Sequence, residues 1–110
     1  MKAVVNGVAY DIMFEHRETA ITVGNRVLID TICHISEEDV NKRGNERFTF
    51  LASGRALQSK KDKFNRWKGK KIAFARALNA SKFSRPERLV FWSIFFSYFP
   101  KAKDKKYCNN

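Results

Sequence analysis

The sequence predicts an α+β fold: a small antiparallel sheet of three or four strands followed by two C-terminal helices packed on one face. Three observations predict it. Apolar residues alternate with a period of two through the first half, the period turns helical after Ser59, and turn signals separate the runs. The 110 residues hold ten Phe and are 44% hydrophobic, enough for one modest core and too apolar for a disordered chain. Residues 1–100 read as a single domain and 101–110, "KAKDKKYCNN", as a basic, flexible tail.

Asn6-Gly7 marks a turn, after which Val8, Tyr10, Ile12 and Phe14 share one strand face. "TAITV" and "RVLIDTICHI" flank Gly24-Asn25 as a hairpin. "SEEDV", with Ser36 three residues before Asp39, predicts a turn or short helix, and "KRGNE" a further turn. "RFTFLAS" is the next strand, with Phe48 and Phe50 facing one way and Gly54 ending or bulging it.

Ser59 is the expected cap of the first helix, with Asp62 in its first turn. Phe64, Trp67, Phe74, Ala75 and Leu78 then fall within an arc of roughly 100°. Lys63, Arg66 and Lys70 occupy another arc, which Ala73 and Ala77 continue with small side chains that permit close approach of a partner. Gly69 costs about 1 kcal/mol relative to Ala in mid-helix. Lys71 falls inside the apolar arc, so either it snorkels or residues 60–78 are not one regular helix. Ser84 and Glu87 form a capping box for the second helix, Pro86 fits its first turn and Pro100 stops it.

The formal charge is +11, and it is segregated. Residues 1–54 carry six Lys/Arg against eight Asp/Glu, a net −2, whereas residues 55–110 carry sixteen against three, a net +13. Such a field attracts polyanions and orients them toward one half of the molecule. Solubility alone gives no reason for the segregation.

Catalysis finds little support. No Gly-rich phosphate loop, metal-ligand cluster or nucleophile elbow is present in the sequence, and the acidic groups Glu15/Glu18 and Glu37-Glu38-Asp39 fall in turn-like segments. A non-enzymatic protein without catalytic residues, metal or cofactor is therefore expected. His34 reads as a packed or edge side chain, and Cys33 and Cys108 do not read as a disulfide framework. "LVFWSIFFSYF" is too short to span a bilayer and no secretory signal is evident, so a cytoplasmic protein is expected, without a membrane partner.

The basic segment is the candidate site. Lys60, Lys61, Lys63, Arg66, Lys70 and Lys71 are the expected contacts to nucleic-acid phosphates, helped by Arg55 and the tail lysines. The second helix carries Trp92, Phe95, Phe96 and Phe99 on several sides. They are either core or an interface to a second copy or another protein.

From Arg47 to Phe99 the chain resembles a group of small phage proteins. The shared elements are Lys61-Asp62-Lys63-Phe64, Gly69-Lys70-Lys71-Ile72-Ala73, Arg76-Ala77-Leu78, and Glu87-Arg88 followed by Trp92 and Phe96. That resemblance implies a phage origin, where genes of this size commonly serve host takeover or counter-defence. "KGKKIAFARALNA" after strands is also similar to the C-terminal part of a double-stranded RNA-binding domain. There Lys70 and Lys71 would match the phosphate-contacting lysine pair. The chain departs from that family in lacking its first helix and adding a long one at the end. The expected function is thus non-catalytic nucleic-acid binding, DNA or RNA, in an infected host. The alternative is an inhibitor or adaptor that docks on a host protein.

Overall fold

A computed structural model describes residues 1–108; Asn109, Asn110 and the side chains of Tyr107 and Cys108 lie outside the described residues. Four strands, β1 (Lys2–Val5), β2 (Val8–Val23), β3 (Arg26–Glu38) and β4 (Phe48–Leu57), form an antiparallel meander in the order β1-β2-β3-β4. Helices α1 (Arg66–Ala80) and α2 (Arg85–Tyr98) follow, and a short helix α3 (Lys105–Cys108) ends the described chain. The expected α+β architecture is therefore present, with four strands and two main C-terminal helices.

The turns form where residues that tolerate a left-handed backbone are placed. Asn6 and Gly7 have φ of 51° and 76°, which suits a tight hairpin between β1 and β2. Gly24 serves the β2–β3 hairpin with φ of 61°. The alternation seen in the sequence becomes one buried face: Ala3 and Val5 from β1, Tyr10 and Ile12 from β2, and Cys33 and Ile35 from β3. Phe74 and Leu78 of α1 and Phe91 and Phe95 of α2 close over it. Phe74 stacks on Phe95 at 4.9 Å between ring centroids, and Tyr10 meets Phe83 and Phe91 edge-on.

α1 lies much closer to the sheet than these rings would allow elsewhere. β4 faces it with Ala52, Gly54 and Ala56, and α1 answers with Ala73 and Ala77. A Cβ on Gly54 would overlap the carbonyl oxygen of Ala73 and the amide nitrogen of Ala77. One on Gly69 would stand 2.6 Å from the Thr31 hydroxyl on β3. The small side chains expected to admit a partner thus admit the protein's own sheet.

Several expectations are corrected. β2 is continuous through Glu15 and Glu18, joining two runs that read separately, with its register irregularity between Glu18 and Thr22. β3 extends to Glu38, so "SEEDV" is mostly strand. Gly54 neither ends nor bulges β4; the irregularity falls at Leu51, between the Ile35–Ala52 and Ser36–Phe50 pairs. α1 begins at Arg66, where Asn65 accepts from the amides of Trp67 and Lys68 at 3.1 Å each. Ser59 is not the cap, and Lys60, Lys61, Lys63 and Phe64 precede the helix. Gly69 sits inside a continuous helix. The predicted Ser84–Glu87 capping box is formed.

The tail does not begin at 101 as a loose extension. A 3₁₀ turn over Pro100–Ala102 returns Ala102 to the core, fully buried. The aromatic helix also proves two-sided. Phe91 and Phe95 are fully buried, Trp92, Phe96 and Phe99 are half-buried, and Leu89, Val90 and Tyr98 are exposed. Phe95 is therefore core, out of reach of a docking partner. Among the described residues no helix is long and apolar enough to cross a membrane.

The backbone contact at Gly54 is the most sensitive point of this packing. Because the obstructing atoms are main chain, Gly54→Ala should lower the unfolding free energy by about 3 kcal/mol, the upper end for overpacking. Ser53→Ala, exposed on the same strand, should stay within about 0.5 kcal/mol. Urea unfolding of both variants checks the contrast, and equal losses would remove the assigned role of Gly54.

Candidate functional site

The charge asymmetry of the sequence becomes an asymmetry between two faces. The sheet face opposite the helices carries Asp11, Glu15, Asp30 and Glu38, and each of these four has a basic partner. Lys2 Nζ lies 3.2 Å from Asp11 and 2.9 Å from Glu38, which Arg47 also approaches at 3.1 Å. Arg17 pairs with Glu15, and Arg55 with the buried Asp30. The hydrogen bond from Lys2, reinforced by Arg47, holds the Glu38 carboxyl below the usual range. The exposed Arg17–Glu15 pair is worth only about 0–1 kcal/mol, and together the pairs neutralise this face. Arg55, expected to assist phosphate binding, is committed to Asp30 on that side.

The candidate cations on the helical side lack such compensation. Among the described residues, Lys60, Lys61, Lys63, Arg66, Lys70 and Lys71 have no carboxylate within ion-pair distance. These six do not form one stripe. Lys60, Lys61 and Lys63 belong to the segment between β4 and α1, which is pinned from the hairpin. Arg26 donates to the carbonyls of Lys60 and Asp62 at 3.0 Å each, and Gln58 donates to the Asp62 carbonyl at 2.8 Å. Lys68 leans toward Asp62 at 3.8 Å.

Arg66, Lys70 and Lys71 lie on α1, and the fold gives them aromatic neighbours that the sequence assigned to a different surface. Lys70 Nζ is 4.3 Å from the centre of the Phe99 ring, 5.3 Å from Trp67 and 5.7 Å from Phe14. The Lys71 ammonium lies 5.9 Å from the Phe96 ring, which stacks on Trp92. Lys71 thus snorkels along the apolar side of a regular helix. Arg66 and Lys101 approach Trp67 at 5.7 and 5.9 Å, so three cations surround that indole. A cation over a partly desolvated ring gains up to about 2 kcal/mol. Burial first, then the Arg66 charge, lowers the Lys70 pKa. Lys70 is therefore partly a packing residue, while Arg66 is exposed and Lys71 half-buried.

The structure brings together Arg66, Lys70, Lys71, Phe96, Phe99 and Trp67 as one basic and aromatic surface. Sequence reasoning placed Lys101 only among the helping tail lysines, because its position beside Trp67 depends on the turn after α2, and it assigned Trp67 wholly to the core. A signal for the latter was available in Trp67-x-x-Lys70, a spacing that puts an ammonium beside the ring. Among the described residues no group of three or more His, Cys, Asp or Glu side chains is arranged to hold a metal ion. Cys33 is buried in the core, and burial pushes its thiol up to about 12. Comparison with family models, curated proteins and solved structures finds no match.

His16 lies beside this surface. Its Nδ1 is 2.9 Å from the Thr31 hydroxyl and its ring meets Phe64 edge-on at 5.1 Å. Burial, then Lys70, then Arg66 lower its pKa from the ordinary 6.5. Protonation therefore favours the unfolded chain. The contribution of His16 to stability is complete above the ordinary value and lost as pH falls through it toward the lowered one. The thermal midpoint should drop between about pH 7 and pH 5, and His16→Gln should flatten that part of the profile. An unchanged slope in the variant would show that His16 is not the group responsible.

Proposed function

We propose that the protein binds nucleic acid without chemistry, holding phosphates with Lys60, Lys61, Lys63, Arg66, Lys70 and Lys71. The observation that carries this reading is the set of six cations without carboxylate partners among the described residues, while Asp11, Glu15, Asp30 and Glu38 on the far sheet face are paired with other cations. Phosphate contacts position a ligand and carry no sequence information, so little sequence preference is expected from them. With the resemblance to small phage proteins, the proposed setting is the cytoplasm of an infected host, in takeover or counter-defence.

A second reading has its own support. Leu89 is exposed on α2 on the same side as the half-buried Trp92 and Phe96, a surface suited to a protein partner. In that reading the protein is an inhibitor or adaptor of a host protein, and the basic surface meets acidic residues. A partner that stays stoichiometric after nuclease treatment of a host lysate favours this reading over the first.

Affinity for an oligonucleotide should fall linearly with salt on logarithmic axes, by about 0.9 per phosphate neutralised on duplex DNA. Changing Lys60, Lys61 and Arg66 together to Glu should lower that slope by about 3. Affinity indifferent to salt would remove the proposal. The same titration has a local readout. Phosphate placed over Arg66 and Lys70 cancels charges that hold the His16 pKa down, so that pKa should rise on binding, as followed by proton NMR.

A further inference from the structure

Between the ends of β3 and β4, the segment after β4 and the start of α1, the fold leaves a cavity of about 230 Å³. We propose that this cavity seats one unpaired base of a single-stranded nucleic acid while the neighbouring lysines hold its phosphates. The proposal rests on the nucleic-acid reading above and narrows it to a substrate class.

Size and lining argue for a flat, largely apolar group. The volume is below the roughly 300–1,000 Å³ of clefts for drug-sized ligands, so a single ring system fits better than a larger molecule. Ile29, Ala56, Leu57, Phe64 and Ile72 supply the apolar wall. The Phe64 ring is partly exposed and fixed edge-on by His16, so it offers a face for stacking.

The uncharged polar side chains of the lining are occupied in holding the walls. Gln58 accepts from the Ile29 amide at 3.0 Å and donates to the Asp62 carbonyl at 2.8 Å. Asn65 caps α1 through its side-chain oxygen, and Thr31 is 2.9 Å from His16. The cavity is thus preformed and presents little fixed hydrogen-bond pattern to a base edge, which suits sequence-tolerant stacking.

Charge selects the class of occupant. Lys63, Lys68 and Asp62 line the cavity, with Asp62 met by Lys68 at 3.8 Å, and Lys60 and Lys61 stand just upstream on the same pinned segment, leaving a cationic excess. A nucleotide couples a planar ring to a phosphate at every step of its chain, which matches an apolar recess beside a row of cations. A base within a duplex is stacked and paired and would have to be extruded to enter. A single strand pays no such cost.

The test uses the isotope-labelled full chain, with a short oligothymidylate and an abasic strand of equal length as probes. Thymidylate should bind about tenfold more tightly than the abasic strand. It alone should shift the resonances of Ile29, Leu57 and Ile72, and Phe64→Ala should reduce its affinity to the abasic level. If both strands bind equally and shift the same resonances, the cavity assignment falls and phosphate binding stands. If neither binds at low salt, both fall. A peptide carrying Phe between Glu residues is a further probe: tighter binding than thymidylate, with shifts at those three residues, would give the cavity to a protein ligand and overturn the proposal. The comparison of strands on the unaltered protein decides the matter even if Phe64→Ala does not fold.

Discussion

The contact between α1 and β4 at Gly54 is the constraint on which the rest of the structure depends. Main-chain atoms of Ala73 and Ala77 occupy the space that any other residue at position 54 would fill. Ala52 and Ala56 on the strand extend the same shallow track. The close fit fixes the rotation of α1 about its axis. Phe74 and Leu78 then turn into the main core, Lys70 lies over Phe99, and Lys71 runs out along Phe96. On the other half of the sheet, large rings fill the space: Tyr10, Phe14, Phe91 and Phe95 prop α2 over β1 and β2. One layer therefore packs by backbone proximity at one edge and by aromatic bulk at the other.

The sheet was largely legible because burial of a single face imposes alternation, and Val8, Tyr10, Ile12 and Phe14 alternate cleanly. Gly54 was visible as special, but local grammar offers only an ending or a bulge for a strand glycine. Close approach of a helix arrives from about twenty residues away, and periodicity carries no such information. The start of α1 was misplaced for a related reason. Ser59 with Asp62 resembles a cap, yet Gln58 extends the pairing of β4 by bonding both ways with Ile29. The chain then uses the following residues to climb from the sheet to the helical layer. Asn65, an equally good capping type, takes the role because it stands where that climb ends.

The candidate site was legible in composition and illegible in arrangement. The sequence identified the excess of cations but laid Lys63, Arg66 and Lys70 along one stripe that continued into Ala73 and Ala77. Those alanines face the sheet, and Lys63 precedes the helix, so the stripe divides into a pinned loop and an aromatic-backed helix turn. The pairing of Lys70 and Lys71 with Phe99 and Phe96 joins residues that sequence reasoning had given to separate surfaces. Such a junction depends on α2 crossing near α1, which neither helix encodes alone. The opposite sheet face explains why the net charge matters locally: its carboxylates are consumed by Lys2, Arg17, Arg47 and Arg55 and cannot neutralise the helical side.

The shallow track at Gly54 also bears on the order in which the molecule assembles. The strands form a meander of neighbouring segments, so each new strand finds its partner in the one just before it. Contacts of short sequence separation close at low entropic cost and form early. The seat for α1 does not exist in an isolated β4; it appears only when Gly54 is held opposite Cys33 and the flanking alanines align on one side. Helix docking is thus conditional on the last strand pairing. During synthesis the chain emerges in that same sequence, with the platform preceding the helices that it must receive.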